Sequence, residues 1–309
     1  MNLFATVLTY AAPSANYRGE SAENRAVIQK ITKGRFEYPI ISPEAIRNAL
    51  RETLRALGQP CNRTRLHDED QLAVRFEDYP DADKYADDFF MGWLVAASEA
   101  DRRKIFAELK SRNRDPQMFT FKRDSILRMN MAVALEPYRH DSVFTQSPKD
   151  ATAKDIKSHV NVENSQLLHR ETSYTAYQYP FALNLEECKA KPAWTKTLLN
   201  AVGQLNSVAG NHARSYFEMA PASIVVRLTP RLVAGYGSYG FTIKEERHAF
   251  PEVVDGIIAG DYPGNEFHLG GKLVKDMDEK TKKDLEAKGV ILDRNPQRLL
   301  DALAAKLFS

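Results

Sequence analysis

From Leu3 to Leu228, segments with alternating apolar residues and segments with apolar residues every three or four positions follow one another in the order β-α-β-β-α-β. Leu3 to Tyr10 is β-prone. After a polar loop from Ala15 to Arg35, Ser42 and Pro43 supply an N-cap and a first-turn residue. Ala45, Ile46, Ala49, Leu50, Thr53, Leu54 and Leu57 then form the inward stripe of a helix that Gly58 ends. Leu127, Met129, Met131, Val133 and Leu135 have the period of a half-buried strand, with Arg128 and Asn130 on its other face. A second such strand spans Tyr174 to Leu185, where Tyr177, Tyr179, Phe181 and Leu183 share one face and are read as core residues rather than base-stacking ones. A helix from about Trp194 to Ala209 and a strand from Ser223 to Leu228 complete the set. The order predicts an α+β fold, ferredoxin-like or RRM-like: an antiparallel sheet with both helices on one face and the other face open, where RNA-recognition modules bind.

Three segments fall outside that core, at about 59–121, 138–173 and 241–309, and each is read as an insertion or extension. The first splits by charge: His67 to Phe90 holds nine acids against two bases, and Asp101 to Arg128 nine bases against four acids. Such blocks suit edge-to-edge contact between copies through Asp81, Asp83, Asp87 and Asp88. Thr145 to Lys157 is polar without apolar period, as in an arm or long hairpin. Asn295 and Pro296 open a helix over Leu299 to Phe308.

Composition removes several classes. With 43% hydrophobic and 27% charged residues the chain is globular, and its net charge of +2 means that any nucleic-acid contact rests on unevenly placed charge. Two cysteines, Cys61 and Cys188, without a CxxC exclude a disulfide framework and make the cytoplasm the expected compartment. Met1 to Ala15 reads as a first strand rather than a signal peptide, and no stretch of ~18 apolar residues marks a membrane span. The seven histidines show no i, i+4 pair. Gly235, Gly237 and Gly240 match GxGxxG, yet Phe241 to Lys244 reads as a strand, so the triplet is a Tyr-rich turn. Walker A, GxSxG and paired-carboxylate motifs are missing, so the reaction classes that motifs reveal are unsupported and motif-free enzymes stay open, with no catalytic residue, metal or cofactor singled out.

Cationic, amide and aromatic residues cluster in the loops beside the expected sheet. Asn16, Tyr17, Arg18, Arg25, Lys30, Lys33 and Arg35 precede the first helix, where cations suit phosphates and Tyr17 suits a base, against the plainer reading of a solvated loop. Arg47 and Arg51 extend that surface or form a solvated helix face. Lys122, Arg123 and Arg128 lead into a strand, with ion pairs to the acidic block as the alternative. Gly210, Asn211, His212, Ala213 and Arg214 follow a helix end, and a C-cap requires neither His212 nor Arg214.

These stretches, in this order, resemble the DevR-type RNA-binding backbone subunits of CRISPR type I surveillance complexes (Cascade), of the subtype I-B kind within the RAMP superfamily. The resemblance rests on Asn16, Tyr17, Arg18 and Arg35, on Ile41 to Arg51, on Asp88-Phe89-Phe90-Met91-Gly92, on Lys122 to Arg128, on His169 to Leu185 and on Gly210 to Arg214. It implies a palm (1–58, 122–137, 174–240), a fingers-like insertion (59–121), a thumb-like insertion (138–173) and a C-terminal extension packing on the palm (241–309). It further implies copies stacked head to tail along a guide RNA, contact with target DNA and with other Cascade subunits, no membrane, and no cleavage by this chain. The RNA-binding residues it carries over are Asn16, Tyr17, Arg18, Lys30, Arg35, Ser42, Arg47, Arg51, Lys122, Arg123, Arg128, Asn211, His212 and Arg214. The nearest rival is a CRISPR RNA-processing endoribonuclease on the same fold class, with His212 or His169 as acid or base. A small-molecule enzyme built on the Gly235 to Gly240 turn is a further one.

Overall fold

The structure is a computed structural model that describes residues 1–14, 17–22, 25–65, 74–146, 167–206, 208 and 216–308. The chain is a mixed α+β protein. Its main elements are β1 (Asn2–Leu8), β2 (Lys30–Lys33), β3 (Phe36–Ile41), α1 (Pro43–Ala56), α2 (Ala86–Met91), α3 (Glu99–Ser111), β4 (Leu127–Met129), β5 (Ala132–Ala134), β6 (Tyr177–Asn184), α4 (Pro192–Gly203), β7 (Ser223–Thr229), β8 (Phe267–Gly271), β9 (Ile291–Asp293) and α5 (Pro296–Leu307). The strands form one nine-stranded sheet in the order β9-β8-β7-β1-β6-β5-β3-β2, with β4 also paired to β6. Its centre is antiparallel, and β8 with β9 is parallel.

Period-two patterning aims one face of this centre at the helices. Leu3, Ala5 and Val7 of β1, Tyr177, Tyr179, Phe181 and Leu183 of β6, and Ile224 and Val226 of β7 join Ile46, Leu50 and Leu54 of α1, Leu198 of α4 and Leu300 of α5 in one core. Each large side chain so buried contributes about 1.5–3 kcal/mol. The two buried phenols are satisfied: Tyr179 donates to the Met219 carbonyl at 2.9 Å, and Tyr177 lies 2.9 Å from Ser14 Oγ. α1 starts as predicted, because Ser42 Oγ accepts the Ala45 N–H at 3.2 Å and Pro43 fills the first turn. It stops at Ala56, ahead of Gly58, whose φ of +81° suits the reversal.

Four expectations are corrected. The face opposite the helices is not open. Leu8, Val225, Phe267 and Leu269 meet Tyr236, Phe250, Val253 and Ile257 in a second core, because the chain after β7 folds back over it. Thr6 Oγ1 donates to the Ser238 carbonyl at 3.0 Å and the Phe241 N–H to Gln178 Oε1 at 3.1 Å, stitching that cover down. The strand expected over Leu127 to Leu135 is broken at Asn130 and Met131, and its pairing with β6 shifts by one residue there. Pro180, opposite the break, has no N–H for the ladder, and its carbonyl accepts the Asn130 N–H at 3.2 Å instead. The helix expected to reach Ala209 ends at Gly203, whose carbonyl accepts from Gln297 Nε2 of α5 at 2.8 Å, while Leu205 and Val208 continue into the core. Lastly, the Ala15 to Arg35 stretch is not a plain loop. Tyr17–Ala22 and Arg25–Ile28 are strands that join Ser142–Gln146 and Leu167–Glu171 in a separate four-stranded sheet. Most of Thr145 to Lys157 lies outside the described residues.

Burial pulls the imidazoles of His248 and His268 down to about 4. His268 is 3% exposed, and neither ring nitrogen has a hydrogen-bond partner. Since an unfolded histidine titrates near 6.5, the unfolded chain takes up protons first on acidification. The stabilisation is therefore complete above pH ~6.5 and is lost as pH falls toward 4, at most about 3 kcal/mol per histidine. Denaturant midpoints measured across that window should fall, and H268L should flatten the dependence. A midpoint constant from pH 7 to 4 would contradict the burial assigned to these rings. Among the described residues no helix is long and apolar enough to cross a membrane.

Candidate nucleic-acid interface

The N-terminal half of α1 and the turn leading into β4 share one cationic seam. Arg47 Nη2 donates to the Leu127 carbonyl at 3.0 Å and to Ser125 Oγ at 3.3 Å, while Arg128 Nε donates to the Ser125 carbonyl at 3.1 Å. Two guanidinium groups from distant parts of the chain are thus gripped by Ser125 and Leu127. Arg63 adds a third charge. Burial lowers the pKa of Arg47, and Arg63 and Arg128 push the same way against Glu44, yet an arginine stays protonated in proteins. The result is a concentrated positive potential at the start of β4.

Asp87 and Asp88, both wholly buried, hold this seam in place. The Asp87 carboxylate accepts the Asn62 N–H at 2.7 Å and the Arg63 N–H at 3.1 Å, and pairs with Arg51 Nε at 3.1 Å. Asp88 accepts from Asn62 Nδ2 at 2.8 Å and from the Asp81 N–H at 3.0 Å, and pairs with Arg63 Nη2 at 3.0 Å. Burial, its largest influence, pushes the Asp88 carboxyl up. Phe89 and Phe90 of the same motif pack edge to face in the main core, and Gly92 at φ +61° lets the Arg123 carbonyl approach to where a Cβ would stand 2.2 Å away. Asp88-Phe89-Phe90-Met91-Gly92 is therefore a structural hub that aims Arg63.

That hub corrects the expected contact between copies through opposed charge blocks. The basic block folds onto the acidic one within the chain. Arg112 pairs with Asp78 at 3.0 Å and Arg114 with Asp81 at 2.8 Å, while Arg51 and Arg63, which precede both blocks, hold Asp87 and Asp88. Of the four acids expected to meet another copy, only Asp83 is largely exposed, and it lies 3.4 Å from Lys191 Nζ.

The other sequence-predicted residues are dispersed. Arg51 is 4% exposed and committed to Asp87 and to Asn48 Oδ1 at 2.7 Å, so it is an internal side chain and not a surface cation. Lys30 sits between Glu37 at 3.6 Å and Glu171 at 3.8 Å, over the Tyr138 ring. Ser42 Oγ is occupied as the α1 cap. Arg123 is half-buried between the Phe89 and Trp93 rings. Arg35, exposed at the turn between β2 and β3, stacks on Phe36, and Lys122 is exposed 3.7 Å from Asp124. Tyr17 and Arg18 are described in backbone only; Asn16, Asn211, His212 and Arg214 lie outside the described residues. The structure thus joins Arg47 to Arg128 and brings in Arg63, which sequence reasoning missed, because no pattern marks a lone arginine after a loop.

Beside the seam, the sheet's outer face keeps a cleft of about 340 Å³ whose floor includes Phe4, Arg128, Asn130 and Ala182. Phe4 too was missed, although its alternation with Leu3 and Ala5 points it outward. Reactive side chains are not concentrated here: burial pushes the Cys61 and Cys188 thiols up to about 12, and the described residues hold no metal-ligating cluster. The arrangement can bind an anionic strand.

No family model matches the sequence. A relative from Myxococcus xanthus (strain DK1622), "CRISPR-associated protein Cas7/Cst2/DevR", is 30% identical over 285 residues, spanning 89% of this chain and 88% of the relative. A solved chain from a "CRISPR RNA-guided surveillance complex" superposes with a TM-score of 0.55, and one from a "CRISPR RNA-guided surveillance complex, pre-nicking" with 0.56. Both are 15% identical, cover all of both chains and bear on the fold alone.

Proposed function

Because the chain belongs to the Cas7/Cst2/DevR family of CRISPR-associated proteins, we propose that it is a non-catalytic backbone subunit holding a guide RNA in a Cascade-type surveillance complex. The observation that carries this is the Arg47, Arg63 and Arg128 seam. Exposed Arg128 bonds the protein through Nε and so keeps its terminal nitrogens for phosphate oxygens, while Arg47 and Arg63, held by carbonyls and by buried Asp88, add positive potential behind it. Arg35, Lys122, Tyr17, Arg18 and the loop residues Asn16, Asn211, His212 and Arg214 extend the track. Lys30, Ser42, Arg51 and Arg123 support it from inside.

The strand order β7-β1-β6-β4/β5, with α1 and α4 on one face, supports a ferredoxin-like palm made of 1–58, 122–137 and 174–240. On this reading 59–121 are the fingers, 138–173 the thumb and 241–309 the extension. Copies stack head to tail along the guide, beside other subunits of a subtype I-B complex in the cytoplasm. Target DNA is read by base pairing while the protein holds backbone and shape. The processing-nuclease alternative, with His212 or His169 as acid or base, is not favoured, because the 30% identical relative that spans 89% of the chain is a Cas7/Cst2/DevR protein; His212 lies outside the described residues and His169 is described in backbone only.

Purifying the chain from its host and sequencing the co-purified nucleic acid tests the reading. Short RNAs sharing a repeat-derived end are expected. A nucleic-acid-free monomer contradicts it.

A further inference from the structure

Away from the seam, the cover over the sheet's outer face holds a cavity of about 720 Å³, lined by the hairpin of Thr242–Lys244 and Arg247–Ala249 and by the helices Pro251–Ala259 and Lys272–Asp276. Its anchor in the sheet is Ser223, which pairs with Leu8 at the end of β1. The seam adjoins the other end, where Leu127 of β4 is in register with Leu183 and so with Leu3. Phe250, Val254, Leu273 and Met277 make much of the lining apolar.

One polar group is built into that lining. His248 is 7% exposed, and its Nδ1 lies 2.8 Å from Ser223 Oγ. Ser223 is wholly buried, and its Oγ accepts the Leu273 N–H at 2.8 Å. Nδ1 is then the acceptor for the hydroxyl proton, since the opposite assignment strands a buried donor. With Nδ1 unprotonated, the neutral imidazole carries its proton on Nε2. Nε2 has no hydrogen-bond partner among the described residues and, unlike both nitrogens of His268, is not sealed from solvent. It therefore presents an N–H donor to the cavity. The ring's place is fixed at some cost to the backbone. Glu245 and Glu246, at the hairpin tip, take φ of +48° and +63°, which strains residues other than glycine. Lys272 Nζ holds the tip by donating to the Glu246 carbonyl, and Asp276 accepts the His248 N–H at 2.9 Å.

The charges in the lining favour an anion. Arg247 and Lys275 are exposed and have no ion pair among the described residues. Asp276 is taken up by the His248 N–H and by Lys272 at 3.8 Å, and Asp278 by the Thr281 N–H at 2.9 Å and hydroxyl at 2.7 Å. Two uncommitted cations thus face one uncommitted acid, Asp255. An apolar lining, a buried neutral N–H donor and surplus positive charge at the rim together match an apolar body that ends in a carboxylate.

We propose that this cavity binds such an acid, as a free small molecule or as the C-terminal end of a polypeptide. A carboxylate oxygen accepts from His248 Nε2, and Arg247 and Lys275 neutralise the charge. The site does not depend on the RNA reading above.

Calorimetric titration of the full chain with hydrocinnamate, hydrocinnamyl alcohol and an acetylated Gly-Gly-Phe peptide with a free C-terminus tests it, together with the ring N–H signal of His248 in protein carrying isotope-labelled histidine. Hydrocinnamate is expected to bind roughly tenfold or more tighter than the alcohol and to move the His248 signal. R247E and K275E combined, both at exposed sites, should unfold at the parent's midpoint and bind hydrocinnamate roughly tenfold or more weaker. Tighter binding of the peptide than of hydrocinnamate assigns the carboxylate to a polypeptide end, and the reverse order to a free acid; either upholds the site. Equal affinities for acid and alcohol, an unmoved His248 signal, undiminished binding in the charge-reversed variant, or binding of none of the three probes at millimolar concentration overturns it and leaves the RNA reading standing.

Discussion

Asp87→Ala is expected to cost more stability than any surface substitution in this chain. Its carboxylate has no contact with solvent and is the acceptor for the Asn62 and Arg63 N–H groups and the partner of Arg51. Removing it leaves a buried guanidinium without its counter-charge, about 3–5 kcal/mol, and two buried donors without an acceptor, about 1–3 kcal/mol each. Such losses overlap, yet against a total stability of ~5–15 kcal/mol they leave the chain unfolded or nearly so. D87N, which keeps an acceptor but drops the charge, should fall between the two. D83A, at an exposed site, should stay within ~0.5 kcal/mol of the parent. Denaturant unfolding reads all three, and a D87A midpoint equal to that of D83A would contradict the hub.

The second large effect is on binding. R47A and R128A combined should weaken RNA affinity roughly a hundredfold at moderate salt and reduce the slope of log affinity against log salt by about one to two, since the second removes a phosphate partner and the first the charge behind it. R51A is the contrasting variant. Its guanidinium neutralises Asp87 inside the protein, so its loss lowers stability and leaves the slope of whatever folds unchanged. A double variant with the parent's affinity and slope would remove Arg47 and Arg128 from the interface.

Much of the core was legible because period alone decides which side a residue takes. Tyr177, Tyr179 and Phe181 face inward as their alternation requires, and Ser42-Pro43 with Gly58 delimit α1 nearly to the residue. What period cannot convey is what a distant segment does to the reverse face. Nothing local to Thr6 or Val225 says that Ser238 and Phe250 return to cover them. Charge is harder still. Arg47 and Arg51 sit one turn apart on the same helix with the same local sequence character, yet one reaches the surface turn at Ser125 and the other is enclosed by Asp87. The difference lies in partners 36 or more positions away. The opposed charge blocks misled for the same reason, since composition records their signs but not that they fold onto each other. The break at Asn130 was signalled only by Pro180, on the partner strand.

The central claim is that the chain grips an RNA strand by its phosphates, without regard to sequence and without cutting it. Equilibrium binding of the purified chain to two single-stranded RNAs of unrelated sequence, across a salt series with the RNA recovered and sized afterwards, tests it most directly. Equal affinities that fall linearly with log salt, and full-length RNA at the end, are expected. Affinity for neither RNA, or shortened RNA in the recovered material, would contradict the account.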